Sequence, residues 1–135
     1  MQGFMMNRER IGSVARILVI DDEDGMRRMV RLMLETEGHE VMEASSGKPG
    51  LEIQREKAAD LVITDIIMPG QEGIETIVQL RREFPETKIL AISGGGKIGP
   101  EEYLLLATEL GAQKALSKPF RREELLDAVR DLLKK

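Results

Sequence analysis

The chain has no cysteine and no tryptophan, one tyrosine, three phenylalanines and a single histidine. Without cysteine, neither a disulfide nor a thiolate metal site can form. Aromatics make up only 3% of the 135 residues while hydrophobic residues make up 41%, so the core must be aliphatic. No run approaches the roughly 20 apolar residues that span a bilayer. Met1 to Met6 lacks the long apolar stretch of a secretory signal. The 20 basic and 24 acidic side chains leave a net charge of −4. That balance argues against a nucleic-acid footprint and against a polybasic membrane patch. The expectation is a cytoplasmic protein with neither nucleic acid nor membrane as partner.

What is present is a regular alternation. Residues 1–14 show no sustained period and read as a flexible tail, leaving 15–135 as one domain. Arg16 to Ile20 is a short apolar run that stops at acids, as a strand buried on both faces does. Met26, Met29, Val30, Met33 and Leu34 then recur at helical spacing, which places all five toward the core. Asp24 is the expected N-cap and Gly38 the stop. Glu40–Ala44 reads as a second strand and Gly47–Lys57 as a helix, with Pro49 tolerated in its first turn. Leu61–Thr64 is a third strand ending at Asp65. A helix follows over Gly73–Glu83, with Ile74, Ile77 and Val78 on one face. Ile89–Ile92 is a fourth strand, Glu101–Leu110 a helix opened by Pro100, Ala115–Ser117 a short strand, and Leu125–Leu133 mark the last helix. Five strand–helix repeats predict an α/β, doubly wound, five-stranded parallel sheet with helices on both faces, in the flavodoxin-like order 2-1-3-4-5.

Strand interiors are apolar, but their carboxyl ends are not. Asp21 and Asp22 follow the first strand, Asp65 the third, Ser93 the fourth and Lys118 the fifth. Ligands of open α/β sheets bind at this edge, where the winding direction switches. In the 2-1-3-4-5 order the three aspartates converge. Three close carboxylates stay ionised only with a compensating cation. Mg²⁺ suits such an oxygen-only site, because it retains waters and also meets phosphate oxygens. A phosphoryl group on Asp65 would find a cation, the Lys118 ammonium and the Ser93 hydroxyl around it. Taken one at a time, each feature has a plainer reading: acids after a strand are loop or cap residues, Ser93 beside glycines is a turn residue, and Lys118 is a surface lysine. Their joint placement at one sheet edge carries the argument.

These residues resemble the receiver domains of two-component response regulators. The likeness runs from about Arg16 to Leu133. It rests on Ile-Leu-Val-Ile-Asp21-Asp22, Asp65-Ile-Ile-Met68-Pro69-Gly70, Ile92-Ser93-Gly94 and Lys118-Pro119-Phe120, in that order and at these intervals. The resemblance implies a stand-alone receiver that accepts a phosphoryl group on Asp65. The donor would be a phosphohistidine on a sensor histidine kinase or a histidine phosphotransfer protein. Output would be binding of a downstream protein, phosphoryl relay or a phosphate sink. It further implies that Asp22, Asp65 and the Ile67 carbonyl bind Mg²⁺ directly and Asp21 through water. Ser93 and Lys118 would contact the phosphoryl group, and the Lys118-Pro119 bond would be cis.

Three features depart from the pattern. Ala115 stands where relatives often carry an aromatic that rotates with the Ser/Thr, Gly94–Gly96 opens a long loop, and Ile67 is apolar. Dimerisation through the fourth and fifth helices is left open. Competing readings are a degenerate receiver that binds without phosphorylation and an aspartyl-phosphate phosphatase. Ile67 disfavours the phosphatase, since a general acid is wanted two residues after the nucleophile; the protein is therefore read as a non-enzyme. A flavin binder of the same fold class would have little to stack on. His39, after Gly38, reads as an ordinary exposed loop residue, and Tyr103 could line an output face or half-bury its ring.

Overall fold

Strand β1 (Arg16–Ile20) lies second in a five-stranded sheet, between β2 (Glu40–Ala44) and the central β3 (Leu61–Asp65), with β4 (Lys88–Ser93) and β5 (Lys114–Ser117) beyond β3. Every pairing is parallel, as the alternation of elements predicts, and the order β2-β1-β3-β4-β5 is that of the expected flavodoxin-like fold. This computed structural model describes residues 14–66, 72–94 and 100–134. The proposed tail therefore lies outside the described residues except for Val14. Ile67, Met68-Pro69-Gly70 and the loop glycines from Gly95 to Gly99 also lie outside them, as does the side chain of Tyr103.

The helices are α1 (Asp24–Thr36), α2 (Gly47–Glu56), α3 (Glu72–Glu83), α4 (Pro100–Leu110) and α5 (Arg122–Leu133). Side chains of a strand alternate between faces, and the two cores follow that alternation. Ile17, Val19, Leu61, Ile63, Leu90 and Ile92 face Val30 and Leu34 of α1 and Leu125 and Val129 of α5. Leu18, Ile20, Val62, Ile89 and Ala91 face Leu51 of α2, Ile77 and Leu80 of α3, and Ala107 of α4. Leu34 is fully buried, so truncation to alanine costs about 2–5 kcal/mol. Such double burial lets the sheet end hold charged groups at one defined edge.

Four sequence expectations need correction. The α1 N-cap is Glu23, extended at φ −88° and ψ 110°, and Asp24 is already helical. Asp24 instead pairs with Arg27 at 2.7 Å. Met29 and Val78 are exposed, not core. Each residue of a helix turns the side chain by about 100°. Met29 therefore lies well round from the Val30–Leu34 line, and Val78 one full step past Ile77. His39 is buried, with Nδ1 accepting the Ala15 N–H at 3.0 Å. Gly38, at φ +89°, turns the chain inward after α1 and carries His39 under the start of β1.

Candidate functional site

The site forms where β1 and β3 end side by side. Ile20 pairs with Thr64, so Asp21 and Asp65 emerge together from adjacent strands. Both are buried, while Asp22 is exposed. Asp21, Asp22 and Asp65 each offer a carboxylate oxygen, and these atoms lie within 4.8 Å of one another. Oxygens sharing one Mg²⁺ at 2.0–2.1 Å can be at most about 4.2 Å apart. The donor set, all oxygen and all carboxylate, therefore fits Mg²⁺ with a small closing movement or one bridging water.

Lys118 approaches from the end of β5. Its Nζ donates to Asp65 Oδ2 at 2.9 Å and to Asp21 Oδ2 at 3.2 Å. Burial alone would push the ammonium down, but the hydrogen bond and charge of Asp65 outweigh it, helped by Glu23 and Asp21. The lysine is held well above its ordinary value and stays charged. The Lys118-Pro119 peptide is cis, as expected. The Lys118 N–H donates to the Ser93 carbonyl at 2.8 Å, which ties β5 to the end of β4. Ser93 is buried one residue beyond Ile92, the β4 partner of Asp65. The structure thus brings together Asp21, Asp22, Asp65, Ser93 and Lys118. Ile67 belongs to the same set by expectation but lies outside the described residues.

Four supporting residues, Glu23, Arg27, Glu43 and Gly73, escaped the sequence reading. Glu23 Oε1 accepts from Lys118 Nζ at 3.1 Å. Arg27 Nη1 donates to the Asp21 carbonyl at 2.8 Å while its Nε binds Glu43 Oε1 at 3.0 Å, fixing the turn that presents Asp21. Glu43 is held below its usual carboxylate range, first by the hydrogen bond from Arg31 and also by Arg27. Gly73 at the start of α3 presses against the end of β3: a Cβ there would lie 2.3 Å from the Ile66 carbonyl and 2.5 Å from that of Asp65. The Glu23 side chain follows the two acids directly, and that adjacency was the available signal. The Gly73 contact has no sequence signal, because it depends on how closely α3 docks.

An open parallel sheet of this order, with an acidic triad and a lysine gathered at its carboxyl edge, defines an α/β fold of the doubly wound class with a charged site where the winding direction switches. The chain belongs to the response regulator receiver domain family, whose sequence profile matches residues 17–130. It is 33% identical over 118 residues to the chemotaxis protein CheY of Halobacterium salinarum, covering 87% of this chain and 96% of that protein. It is equally identical over 119 residues to the transcriptional regulatory protein SrrA of Staphylococcus aureus, covering 88% of this chain. The chain spans 48% of SrrA, about half its length. Among solved structures, it superposes on the chemotaxis response regulator CheY4 of Vibrio cholerae with a TM-score of 0.80 at 30% identity, covering 90% of this chain and all of that one. The response regulator receiver domain of Clostridium thermocellum gives 0.80 at 33%, covering 89% of this chain and 94% of that one. Among the described residues no helix is long and apolar enough to cross a membrane.

Proposed function

We propose that this receiver, taken as residues 15–135, accepts a phosphoryl group on Asp65 from a phosphohistidine and signals by a conformational change to a downstream protein. The donor is a sensor histidine kinase or a histidine phosphotransfer protein, and the setting is cytoplasmic. The observation that carries the reading is the position of Lys118 Nζ, 2.9 Å from Asp65 Oδ2, beside carboxylates of Asp21 and Asp22 within 4.8 Å. One buried acid is thereby faced by a fixed cation and by a ligand set for a second.

Asp65 supplies the attacking oxygen. The new bond joins it to phosphorus as the donor's P–N bond breaks. The bonding pair returns to the imidazole, whose other nitrogen carries a proton, so a neutral ring leaves. Asp22 and Asp65 would hold Mg²⁺ with the Ile67 carbonyl, and Asp21 would do so through water. When bound, the ion neutralises charge on the transferring oxygens. Lys118 balances another of those oxygens, and Ser93 supplies a hydroxyl donor within the same edge. Nothing in this set turns over a substrate, so the reading is a signalling module rather than an enzyme.

Ala115 lies half-buried on β5 and packs against the α2–α4 side of the core. With no aromatic there to rotate, the signal leaves by another route or is weak; the hydrogen bond from the Lys118 N–H to the Ser93 carbonyl is one backbone link that joins the two residues. The same alanine favours a second reading, a receiver that binds its partner without phosphorylation.

Incubating the protein with acetyl phosphate and Mg²⁺ should add one phosphoryl group by intact mass, and Asp65→Asn should abolish the addition. An unchanged mass in the wild type would sink the leading reading and leave the second.

A further inference from the structure

Lys118 has one more carboxylate partner than its proposed role requires. An ammonium carries three donors, and here they meet Asp65 Oδ2 at 2.9 Å, Glu23 Oε1 at 3.1 Å and Asp21 Oδ2 at 3.2 Å. The three partners differ sharply in exposure. The side chains of Asp21 and Asp65 are 3% and 5% exposed, whereas that of Glu23 is 65% exposed. The Glu23 backbone is fixed: its N–H donates to Asp21 Oδ1 at 2.9 Å and its carbonyl accepts from Arg27 N at 3.0 Å. Only its side chain can swing, at the rim of the site.

A phosphoryl oxygen on Asp65 needs one of the three Lys118 donors, so one existing contact must give way. Releasing Asp21 would leave a nearly buried carboxylate with no cation beside it and only the Glu23 N–H as partner, which is costly. Releasing Glu23 returns an exposed carboxylate to water, where an ion pair contributes little. The incoming phosphoryl group also repels Glu23, since both are anionic.

We propose, on the phosphoacceptor reading above, that Glu23 is a placeholder for a phosphoryl oxygen. It is a positioning residue that steers the Lys118 ammonium across the site in the unphosphorylated protein and is displaced on transfer. Glu23 thereby opposes the phosphorylated state by the strength of a contact that must be broken. The opposition comes from reach as well as charge, so a shorter acid at this position should not reproduce it. An aspartate keeps the charge but falls about 1.5 Å short along the side chain, and Lys118 cannot follow because two buried acids hold it.

The test measures binding of beryllofluoride, a phosphoryl mimic, in the presence of Mg²⁺, by titration calorimetry on the wild type, Glu23→Ala and Glu23→Asp. Displacement predicts roughly two- to fivefold tighter binding in both variants, the range expected for loss of a partly exposed ion pair. A merely structural role would move the melting temperature without tightening the mimic. Glu23→Asp behaving like the wild type would overturn the proposal, because charge at the rim would then suffice. So would equal or weaker binding in Glu23→Ala. A wild type that binds no beryllofluoride and takes no phosphoryl group would instead remove the phosphoacceptor reading itself.

Discussion

Lys118 Nζ lies 2.9 Å from Asp65 Oδ2 although the two residues stand 53 positions apart in the chain. The Lys118 side chain is 11% exposed and the Asp65 side chain 5%. Breaking a pair buried this far leaves uncompensated charge rather than merely removing an attraction. Lys118→Met should therefore destabilise the metal-free protein by about 3 kcal/mol at pH 7. Mg²⁺ should restore more stability to the variant than it adds to the wild type, because the ion replaces the missing positive charge. Urea unfolding in EDTA and in Mg²⁺ reads both. Coincident midpoints for variant and wild type in EDTA would mean that the pair contributes nothing.

The acid cluster sets a second expectation. A ligand that binds only the folded state stabilises it by RT ln(1 + [L]/Kd), about 2.7 kcal/mol at a hundred times Kd. Mg²⁺ should raise the wild-type melting temperature in this concentration-dependent way. Asp22→Asn should lose most of the rise, and because Asp22 is exposed the variant should melt like the wild type without metal. A rise that survives in Asp22→Asn would place the ion elsewhere.

Gly73 links α3 to the backbone at the end of β3. A Cβ at this position would approach the carbonyl oxygens of Ile66 and Asp65 to 2.3 and 2.5 Å. Backbone atoms cannot rotate away as a side chain could, so α3 or the end of β3 must shift. Gly73→Ala should slow phosphorylation of Asp65 by about 100-fold, the scale expected when a reacting group moves by about 1 Å. Unfolding in urea, measured in parallel, separates displacement from collapse. Wild-type phosphorylation rates in Gly73→Ala would show that the helix yields instead.

The sequence exposes the sheet readily because each strand is a short apolar run ending in a polar residue. Asp21, Asp65, Ser93 and Lys118 can thus be placed on one edge before any coordinates. Apolar spacing is a weaker guide to which helix face is buried. It sends Met29 and Val78 inward, yet both lie at the flank of their stripes and stay exposed. Longer-range packing is silent in the sequence. Nothing beside Gly38 marks His39 as buried, because its partner is the backbone of Ala15, 24 residues earlier. Glu23 is similarly ambiguous, since an acid before a helix is more often a cap. It does occupy the N-cap position, but its side chain makes no capping bond and instead accepts from Lys118, 95 residues away.

His39 makes the stability of the fold depend on pH. Burial is the largest influence on its imidazole and lowers its pKa below 6.5, against an opposing pull from Glu37; Arg130 of α5 also lowers it. The neutral ring is the one that fits, because Nδ1 accepts the Ala15 N–H at 3.0 Å and a doubly protonated ring has no acceptor. Between the lowered folded value and the unfolded value near 6.5, the unfolded chain binds more protons than the folded one. Stability therefore rises with pH across that window, is complete above 6.5 and is lost as pH falls through the folded value. The slope from one group is no steeper than about 1.4 kcal/mol per pH unit. His39→Asn keeps an acceptor near the Nδ1 position and removes the titration. The difference in urea-unfolding free energy between wild type and variant should be flat above pH 6.5 and should turn against the wild type below it. A difference that is constant from pH 7.5 to 5 would show that His39 titrates alike in the folded and unfolded chain.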